Sequence, residues 1–451
     1  MKHKLFIPLM SAILCGVSCT SSKSIDDKST ENVQRTGHNL KDLEVYFDSV
    51  SPRLMGSIMI TKGDSMIFSK NMGYSDLESK TPISDTTLFK IGSITKSFTA
   101  ILTLKAIEAG KLSMDDKLIK FFPDANIPNA DKITICHLLH HRSGLFDYLN
   151  DVEMKKENFE WVTSPQTQAQ MVERIAKEKC HFEPNKMFRY SNSNYVLLAY
   201  ILEQIYSKPY ADLIDEQIAK PIGLKNTFCG SSRSLNSKSY TFSGEWIKKE
   251  YWHPTTLLGS GSIISTNQDL QKYVYSLANG AWGEYVHSQM MDFIEGYGCG
   301  LLGDSSKSIY NFAHSGRVEK FESYMKYEDG VVTTVLYNGM GINAGTIDWT
   351  MSQALKGEEF PIPSLTVLEL DSVKLNEYVG DYQCDSLILK FENDGKHLIC
   401  TYPNNYISVF EAKPNDFFQC FFDDLDVSFS LTRDSIRFRK WGDWKLYIKK
   451  K

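Results

Sequence analysis

The sequence lacks a run of basic residues and shows no long-period repeat. Lysine and arginine number 50 against 55 aspartate and glutamate residues, and the formal net charge is −5 at pH 7. Because binding to nucleic acid needs clustered lysine and arginine, this charge distribution argues against a nucleic-acid partner.

Cysteine pairs with metal-ligand spacing are also missing. Of the nine cysteines, Cys15 and Cys19 lie in the N-terminal segment, which leaves an odd number with no C-x-x-C pair. A zinc site is therefore not expected, and neither a metal nor another cofactor is predicted. Four of the remaining cysteines lie in apolar runs and are interpreted as buried thiols, although an exported protein is able to form disulfides: Cys136, Cys180, Cys229 and Cys299.

The first 18 residues predict an export signal. A basic start is followed by the apolar segment Leu5 to Val17, which is too short to span a bilayer. Ser18 and Cys19 then open a polar tether, residues 19–39. The arrangement resembles a bacterial lipoprotein signal in which Cys19 is lipidated, although Gly16 departs from that pattern and simple secretion is the alternative. We therefore expect a cell-envelope protein, either periplasmic or held at the membrane by a lipid anchor.

The rest of the chain predicts an α+β domain followed by a small all-β domain. Its 42% hydrophobic and 23% charged content is typical of a soluble globular protein, and 451 residues suit two or three domains. Strand-like runs at 55–68 and 312–337 enclose a long middle, and its segment 151–180 is predicted to be mostly helical. We expect an antiparallel sheet flanked by helices, with an all-helical region, over residues 40–356.

The C-terminal part alternates with period two. Residues 357–364 contain Pro361 and Pro363 and predict a linker. The alternation over residues 365–451, for example in 427–431 (VSFSL), predicts a closed barrel or a sandwich.

Residues 91–98 (IGSITKSF) place a serine and a lysine three residues apart at a predicted helix start. Apolar residues recur until Gly110, a natural helix stop. Because residues i and i+3 share a helix face, the Ser93 hydroxyl and the Lys96 amine are able to meet. Burial lowers the pKa of a lysine, so that its neutral amine takes the hydroxyl proton and makes the serine a nucleophile.

The spacing S-x-x-K alone is weak, because it recurs at residues 323–326 (SYMK). That copy lies in a predicted strand, where residues i and i+3 point to opposite faces. Only the copy at 93–96 has the helical setting that lets the two groups cooperate.

Two later motifs offer groups for acyl transfer. Residues 190–192 (YSN) provide a phenol and an amide on a loop that opens a buried helix, but Y-x-N also occurs at 148–150 and 402–404. Residues 314–316 (HSG) start an edge-strand candidate, where glycine lets a substrate backbone approach. Taken alone, the first is also interpretable as a turn and the second as a surface strand.

Taken in order, residues 93–96, 190–192 and 314–316 resemble the three motifs of the serine β-lactamase and penicillin-binding-protein superfamily. The resemblance is to class C β-lactamase and D-alanyl-D-alanine carboxypeptidase-like serine hydrolases, and it covers about residues 40–356. The tail, with 378–382 (YVGDY), resembles the lipocalin-like barrel of some members. Further agreeing stretches are 133–145 (ITICHLLHHRSGL), 221–224 (PIGL) and 264–270 (ISTNQDL).

The resemblance implies a role for each catalytic residue. Ser93 would be acylated. Lys96 and Tyr190 would exchange its proton and activate the deacylating water, with the division of labour between them left open. Asn192 would either bind a substrate amide or orient Lys96.

The resemblance also implies that the backbone N–H groups of Ser93 and Arg317 form the oxyanion hole, with His314 and Gly316 lining the site. Many relatives have lysine where His314 stands, and neutral histidine holds a substrate carboxylate less well. Residues 317–320 (RVEK) are bulky and charged, which would narrow or re-charge the pocket edge. The Arg317 side chain either restores a carboxylate clamp or is solvated.

These observations predict an exported serine hydrolase that acts on a small ester, an amide or a D-amino-acid peptide. Esterase or peptidase activity is favoured over β-lactamase activity because of His314. The expected partner is a small-molecule or peptide substrate. The alternatives are a sensor that binds penicillin or cell-wall fragments with slow or no turnover, and an inactive scaffold.

Overall fold

The computed structural model divides into two compact units, residues 51–341, and residues 35–50 together with 342–450. The predicted export signal and Cys19 lie outside the described residues, and the predicted domain limits stay predictions. The structure describes residues 35–151, 160–230, 232–243, 245–304, 311–342, 344–363, 365, 367–403, 407–420, 425–440 and 444–450.

Strands and helices alternate along the first unit, and strands predominate towards the C-terminus. The strands are β1 Arg35–Gly37, β2 Leu54–Lys62, β3 Ser65–Met72, β4 Tyr74–Asp76, β5 Thr81–Pro82, β6 Phe89–Lys90, β7 Phe228–Cys229, β8 Tyr240–Ser243, β9 Glu245–Lys248, β10 Ile263–Ser265, β11 Leu302–Gly303, β12 Phe312–Val318, β13 Phe321–Glu328, β14 Val331–Met340, β15 Phe360–Ile362, β16 Gly380–Cys384, β17 Leu387–Asn393, β18 Leu398–Thr401, β19 Ile407–Lys413, β20 Phe417–Cys420, β21 Leu425–Phe429, β22 Ser435–Lys440 and β23 Lys445–Lys449. The α-helices are α1 Leu40–Val50, α2 Thr95–Glu108, α3 Ile135–Leu139, α4 Gln168–Ala176, α5 Asn192–Tyr206, α6 Tyr210–Ile214, α7 Asn267–Ala278, α8 Glu284–Met290, α9 Ala344–Lys356 and α10 Ser372–Asn376.

An antiparallel sheet with the order β11-β12-β13-β14-β2-β3 is central to unit 51–341. The predicted hairpin at Gly63 is confirmed, since β2 pairs with β3 from Gly56↔Met72 to Lys62↔Ser65. Strand β8 joins β14 in parallel, and β9 pairs with β8. Helix α7 packs against β2, β13 and β14. A second sheet has the order β6-β10-β7, and its strand β6 ends three residues before Ser93.

Helix α2 is the buried element on which the candidate nucleophile is mounted. Ser93 itself lies in the short 3-10 helix Gly92–Ile94, and α2 begins two residues later, at Thr95. The predicted stop is present: α2 ends at Glu108, and Gly110 has φ 68°, a left-handed conformation that glycine adopts without steric cost. Apolar and small residues line all sides of α2 because the helix is buried on nearly every face.

The chain before α2 crosses β12 at van der Waals distance. A Cβ atom on Gly316 would lie 2.0 Å from the Ile91 carbonyl oxygen, and one on Gly92 would lie 2.5 Å from the Arg317 nitrogen. Both glycines are therefore required for the approach, which brings the Ser93 segment against the strand that carries His314.

Two predictions concern the middle of the chain. Most of the described residues of segment 151–180 are helical as predicted, since α4 covers Gln168–Ala176 and the 3-10 helix Glu160–Thr163 precedes it, while 152–159 lie outside the described residues. Pro165 lies between these two helices, where it does not have to donate the backbone hydrogen bond of a helix interior. Cys136 and Cys180 are half-buried, whereas Cys229 and Cys299 are buried as predicted; all four are free thiols.

The second unit contains the predicted all-β domain as a closed barrel of β16–β23, in which neighbouring strands are antiparallel. Buried aromatic side chains fill its interior: Tyr378, Tyr382, Phe391, Phe410, Phe418, Phe429, Phe438 and Tyr447. In the same unit β1 pairs with β15, and α1 packs with α9. Among the described residues, no helix combines the length and the apolar character needed to cross a bilayer.

We expect Gly316→Ala to lower the free energy of unfolding by about 1–3 kcal/mol, because the added methyl group forces the Ile91 backbone away from β12. Gly261→Ala is the matched control, since its Cβ atom would meet its first neighbour at 3.5 Å. Urea denaturation followed by tryptophan fluorescence measures both variants. Equal midpoints for the two would contradict the close approach.

Candidate active site

The Lys96 side chain is fully buried and makes three polar contacts. Its Nζ lies 3.0 Å from Ser93 Oγ, 2.8 Å from Asn192 Oδ1 and 2.8 Å from the Ser260 carbonyl oxygen. A neutral amine donates one hydrogen to each of the last two oxygens, which only accept, and its lone pair then faces the Ser93 hydroxyl. Burial lowers the pKa of Lys96 to about 7. The position of the amine and its lowered pKa therefore both suit it to accept the Ser93 proton.

Asp147 fixes the orientation of the Asn192 amide. Its carboxylate accepts from the Asn192 backbone nitrogen at 3.0 Å and from Asn192 Nδ2 at 3.1 Å, so Asn192 Oδ1 points to Lys96. The backbone N–H groups of Leu149 and Asn150 also donate to Asp147. Burial raises the pKa of Asp147, and the backbone N–H groups that donate to its carboxyl oppose this rise. Its charge raises the pKa of Lys96 against the effect of burial.

Tyr190 lies beside the Ser93–Lys96 pair. Lys96 Nζ is 4.7 Å from the centre of the Tyr190 ring. The Tyr190 hydroxyl oxygen is buried and has no hydrogen-bond partner of good geometry among the described residues. Burial raises the pKa of Tyr190, and the neighbouring Ser93 hydroxyl opposes this rise. Tyr190 is therefore a neutral phenol, whose hydroxyl is able to donate a hydrogen bond or relay a proton but does not serve as a phenolate base.

His314 is a fully buried, neutral histidine. Burial lowers its pKa to about 3, and the nearby Lys96 charge acts in the same direction. His314 Nδ1 lies 2.6 Å from the Ser315 carbonyl oxygen, which only accepts, so Nδ1 carries the proton. Its Nε2 therefore accepts from the Tyr297 hydroxyl at 3.2 Å. The strand therefore presents a neutral, hydrogen-bonded imidazole to the site.

The direction of this hydrogen bond also determines the tautomer of a second histidine, His141. Since the Tyr297 hydrogen points to His314, His141 Nε2 donates to the Tyr297 oxygen, also at 3.2 Å. His141 Nδ1 then accepts from the Ser191 backbone nitrogen at 3.1 Å and from Asn194 Nδ2 at 3.0 Å. Burial lowers the pKa of His141 well below its usual value. The Tyr190 ring rests on His141, with 4.3 Å between ring centres.

Arg317 and Glu319, which follow Gly316, are not placed as the sequence led us to expect. Strand alternation places the Arg317 side chain opposite Glu322, on the face away from His314 and Gly316, and it is exposed. This geometry favours the interpretation in which the Arg317 side chain is solvated and does not hold a substrate carboxylate. Glu319 is buried in an ion pair, so the expectation that residues 317–320 re-charge the pocket edge is wrong for Glu319.

The fold brings Ser93, Lys96, Tyr190, Asn192 and His314 into one site, although they are far apart in sequence. Ser93 is half-buried and thus open to a reactant. Together these side chains provide a hydroxyl, a base of suitable pKa and a neutral phenol, which are the groups needed for acyl transfer. Among the described residues, no cluster of three His, Cys, Asp or Glu side chains has a metal-binding arrangement.

Sequence reasoning missed Asp147, His141, Tyr297 and the Ser260 carbonyl. Asp147 had a usable signal, because it is an acid within the apolar run 145–149 (LFDYL), where an unpaired charge is costly. Tyr297 and Ser260 had none, since their contacts arise only when distant segments fold together.

Comparison with known proteins finds a family match and several relatives. The family model for beta-lactamase matches residues 50–355. Penicillin-binding protein 4* of Bacillus subtilis (strain 168) is 27% identical over 257 residues, 52% of this chain and 55% of that protein. Protein flp of Staphylococcus aureus (strain COL) is 32% identical over 187 residues, 41% of this chain and 36% of that protein. The chain thus matches about half of the first relative's length and about a third of the second's.

Solved structures show the same fold. The octameric penicillin-binding protein homologue from Pyrococcus abyssi superposes with a TM-score of 0.62 at 24% identity, over 91% of this chain and 98% of that chain. The D-amino acid amidase from Ochrobactrum anthropi SV3, solved with D-phenylalanine, superposes with a TM-score of 0.59 at 24% identity, over 70% of this chain and 96% of that chain.

We expect the rate of Ser93 labelling by a fluorophosphonate to rise with pH around an inflection near 7, because only the neutral Lys96 amine accepts the hydroxyl proton. Lys96→Arg should abolish the rise, since a guanidinium stays protonated. Lys105→Arg, on the same helix, is the control and should keep the profile. A flat profile for the unaltered protein would contradict the role of Lys96 as base.

We expect the imidazoles of His314 and His141 to stay neutral between about pH 5 and pH 8, because burial disfavours their charged forms. Long-range 1H–15N correlation spectra should show the Nδ1–H tautomer for His314 and the Nε2–H tautomer for His141. The exposed imidazole of His38 serves as a reference in the same spectra. Opposite tautomers would overturn the assigned direction of the hydrogen bonds.

Proposed function

The chain belongs to the beta-lactamase family, and from that premise we propose that it is a serine hydrolase that forms an acyl-enzyme at Ser93. The single observation that carries the proposal is the buried Lys96 amine, 3.0 Å from Ser93 Oγ, with a pKa of about 7. A structural lysine is normally exposed or paired with an acid, whereas Lys96 contacts a hydroxyl and two neutral carbonyl oxygens.

The first step is attack by Ser93 Oγ on the substrate carbonyl carbon while its proton passes to Lys96 Nζ. The oxyanion that forms accepts hydrogen bonds from the backbone N–H groups of Ser93 and Arg317. When the tetrahedral intermediate collapses, the bond to the leaving group breaks and the leaving group takes a proton. The high pKa of Tyr190 supports a division in which Lys96 is the base and the Tyr190 phenol relays the proton.

Deacylation reverses this order. A water molecule gives a proton to the neutral Lys96 amine and attacks the acyl carbon. The bond between that carbon and Ser93 Oγ then breaks, Ser93 Oγ takes the proton back from Lys96, and the carboxylic acid product leaves. Asn192 acts through Lys96, because its Oδ1 holds the amine in the position required for both steps.

We propose that the substrate is a small ester or an amide, including D-amino-acid derivatives, that does not depend on a free carboxylate for binding. Two features support this choice. His314 is neutral at physiological pH and its nitrogens are occupied by Ser315 and Tyr297, so it offers no fixed cation. The Arg317 side chain lies on the other face of β12. Export and lipidation at Cys19 are part of the proposal and rest on the N-terminal sequence alone.

We expect the protein to hydrolyse an acyl ester and D-phenylalanine amide, and to act on a D-phenylalanine dipeptide with a free carboxylate at least ~10-fold more slowly than on the same dipeptide as its C-terminal amide. The difference corresponds to ~1.4 kcal/mol, because a carboxylate that loses hydration in a site without a cation is not compensated. Comparison of kcat/KM for the two dipeptides measures it directly.

Labelling experiments test the nucleophile and the sensor alternative. The unaltered protein, Ser93→Ala and the control Ser288→Ala are incubated with a fluorophosphonate and with a fluorescent penicillin. Labelling that persists in Ser93→Ala would refute the nucleophile assignment. A stable penicillin adduct without turnover of any ester or amide would support the sensor and overturn the hydrolase.

A further inference from the structure

Lys90 and Glu319 form an ion pair that is almost completely buried. Their side chains are 6% and 2% exposed. Lys90 ends β6, three residues before Ser93, and Glu319 follows β12, two residues after Arg317. The pair therefore joins the two segments whose backbone N–H groups are assigned to the oxyanion hole.

The remaining hydrogen-bonding capacity of the pair is used by a third segment. Glu319 accepts from the Ser239 hydroxyl at 3.0 Å and from the Trp252 backbone nitrogen. Lys90 Nζ donates to the Trp252 carbonyl oxygen at 3.0 Å and lies 3.6 Å from the centre of the Tyr251 ring. Such saturation is what two charges need to remain buried, and it leaves neither side chain free to move alone.

Glu319 is also held in a backbone conformation that non-glycine residues avoid. It is the first residue of the two-residue turn between β12 and β13, where Val318 pairs with Phe321, and its φ is 58°. Glycine would adopt this conformation with less strain. Strain of this kind persists only where surrounding contacts impose it, and it is concentrated at functional sites.

The backbone that connects the Lys90–Glu319 ion pair to Ser93 and Arg317 is tightly packed. Ser323 Oγ donates to the Ile91 carbonyl oxygen at 2.7 Å, and Gly316 contacts the same oxygen so closely that a Cβ atom does not fit. A shift of Lys90 relative to Glu319 is therefore transmitted to Ser93 and Arg317.

We propose that the Lys90–Glu319 pair is a positioning clamp that sets the separation of the Ser93 and Arg317 backbone N–H groups, and so controls stabilisation of the oxyanion; this rests on the proposed function. Neither residue touches the substrate. Both act through the backbone that they anchor.

The test uses the full chain as Glu319→Gln, Lys90→Met and the double variant, with Asp76→Asn in the Lys238–Asp76 ion pair (2.9 Å) as the matched control. Each single variant leaves one buried charge unpaired and should unfold at lower urea concentration, whereas the double variant should recover. Acylation by an ester should stay roughly 10- to 100-fold slower in all three, because weakened oxyanion donors should cost less than the roughly 100- to 1,000-fold loss that follows removal of one donor. The control should keep the rate of the unaltered protein.

Two further measurements separate positioning from stability. In an acyl-enzyme that deacylates slowly, the infrared carbonyl stretch should move to higher frequency in the double variant, since its hydrogen bonds are weaker. Amide hydrogen exchange should be faster over residues 89–95 and 312–321. A double variant with normal rate, frequency and exchange would overturn the clamp. Absence of Ser93 labelling in the unaltered protein would refute the proposed function instead, while the exchange data would still decide the clamp.

Discussion

The contact between the buried Lys96 amine and the Ser93 hydroxyl is the interaction on which the rest of the site depends. A lysine in the interior is costly as a cation, and burial lowers its pKa to about 7. Two carbonyl oxygens accept from the amine and its lone pair faces the Ser93 hydroxyl, while the nearby Asp147 carboxyl opposes the fall of the Lys96 pKa. The surrounding elements are arranged to maintain this balance: α2 is buried on nearly every face, and Asn192 is locked by Asp147.

A second constraint is the close contact between the Ser93 segment and β12. Gly92 and Gly316 allow two backbones to approach to a distance that any side chain would prevent. On the same strand, His314 is neutral and adds no second charge beside Lys96, and the Tyr297 hydroxyl from the segment before β11 donates to it. A neutral imidazole at this position does not repel the protonated Lys96 amine, and it carries no fixed positive charge.

Much of the fold follows from local patterns. The period-two alternation of the C-terminal residues is that of the closed barrel, and the hairpin at Gly63 and the helix stop at Gly110 are where turn and cap preferences place them. Segment 151–180 is helical over most of its described residues, and Pro165 separates its 3-10 helix from α4. The second S-x-x-K copy lies in β13 as expected, but its Ser323 supports the Ile91 carbonyl, a contact that no local pattern encodes.

The sequence by itself determined the candidate nucleophile, the base at position i+3, the order of the three motifs and the neutral residue at 314. It did so because helical spacing and residue chemistry are local properties. Only the tertiary structure decided that Lys96 has a pKa near 7, that His141, Tyr297 and His314 form one directed chain of hydrogen bonds, and that Glu319 pairs with Lys90. Desolvation and hydrogen-bond direction depend on atoms supplied by segments far apart along the chain, so they exist only once those segments have packed together.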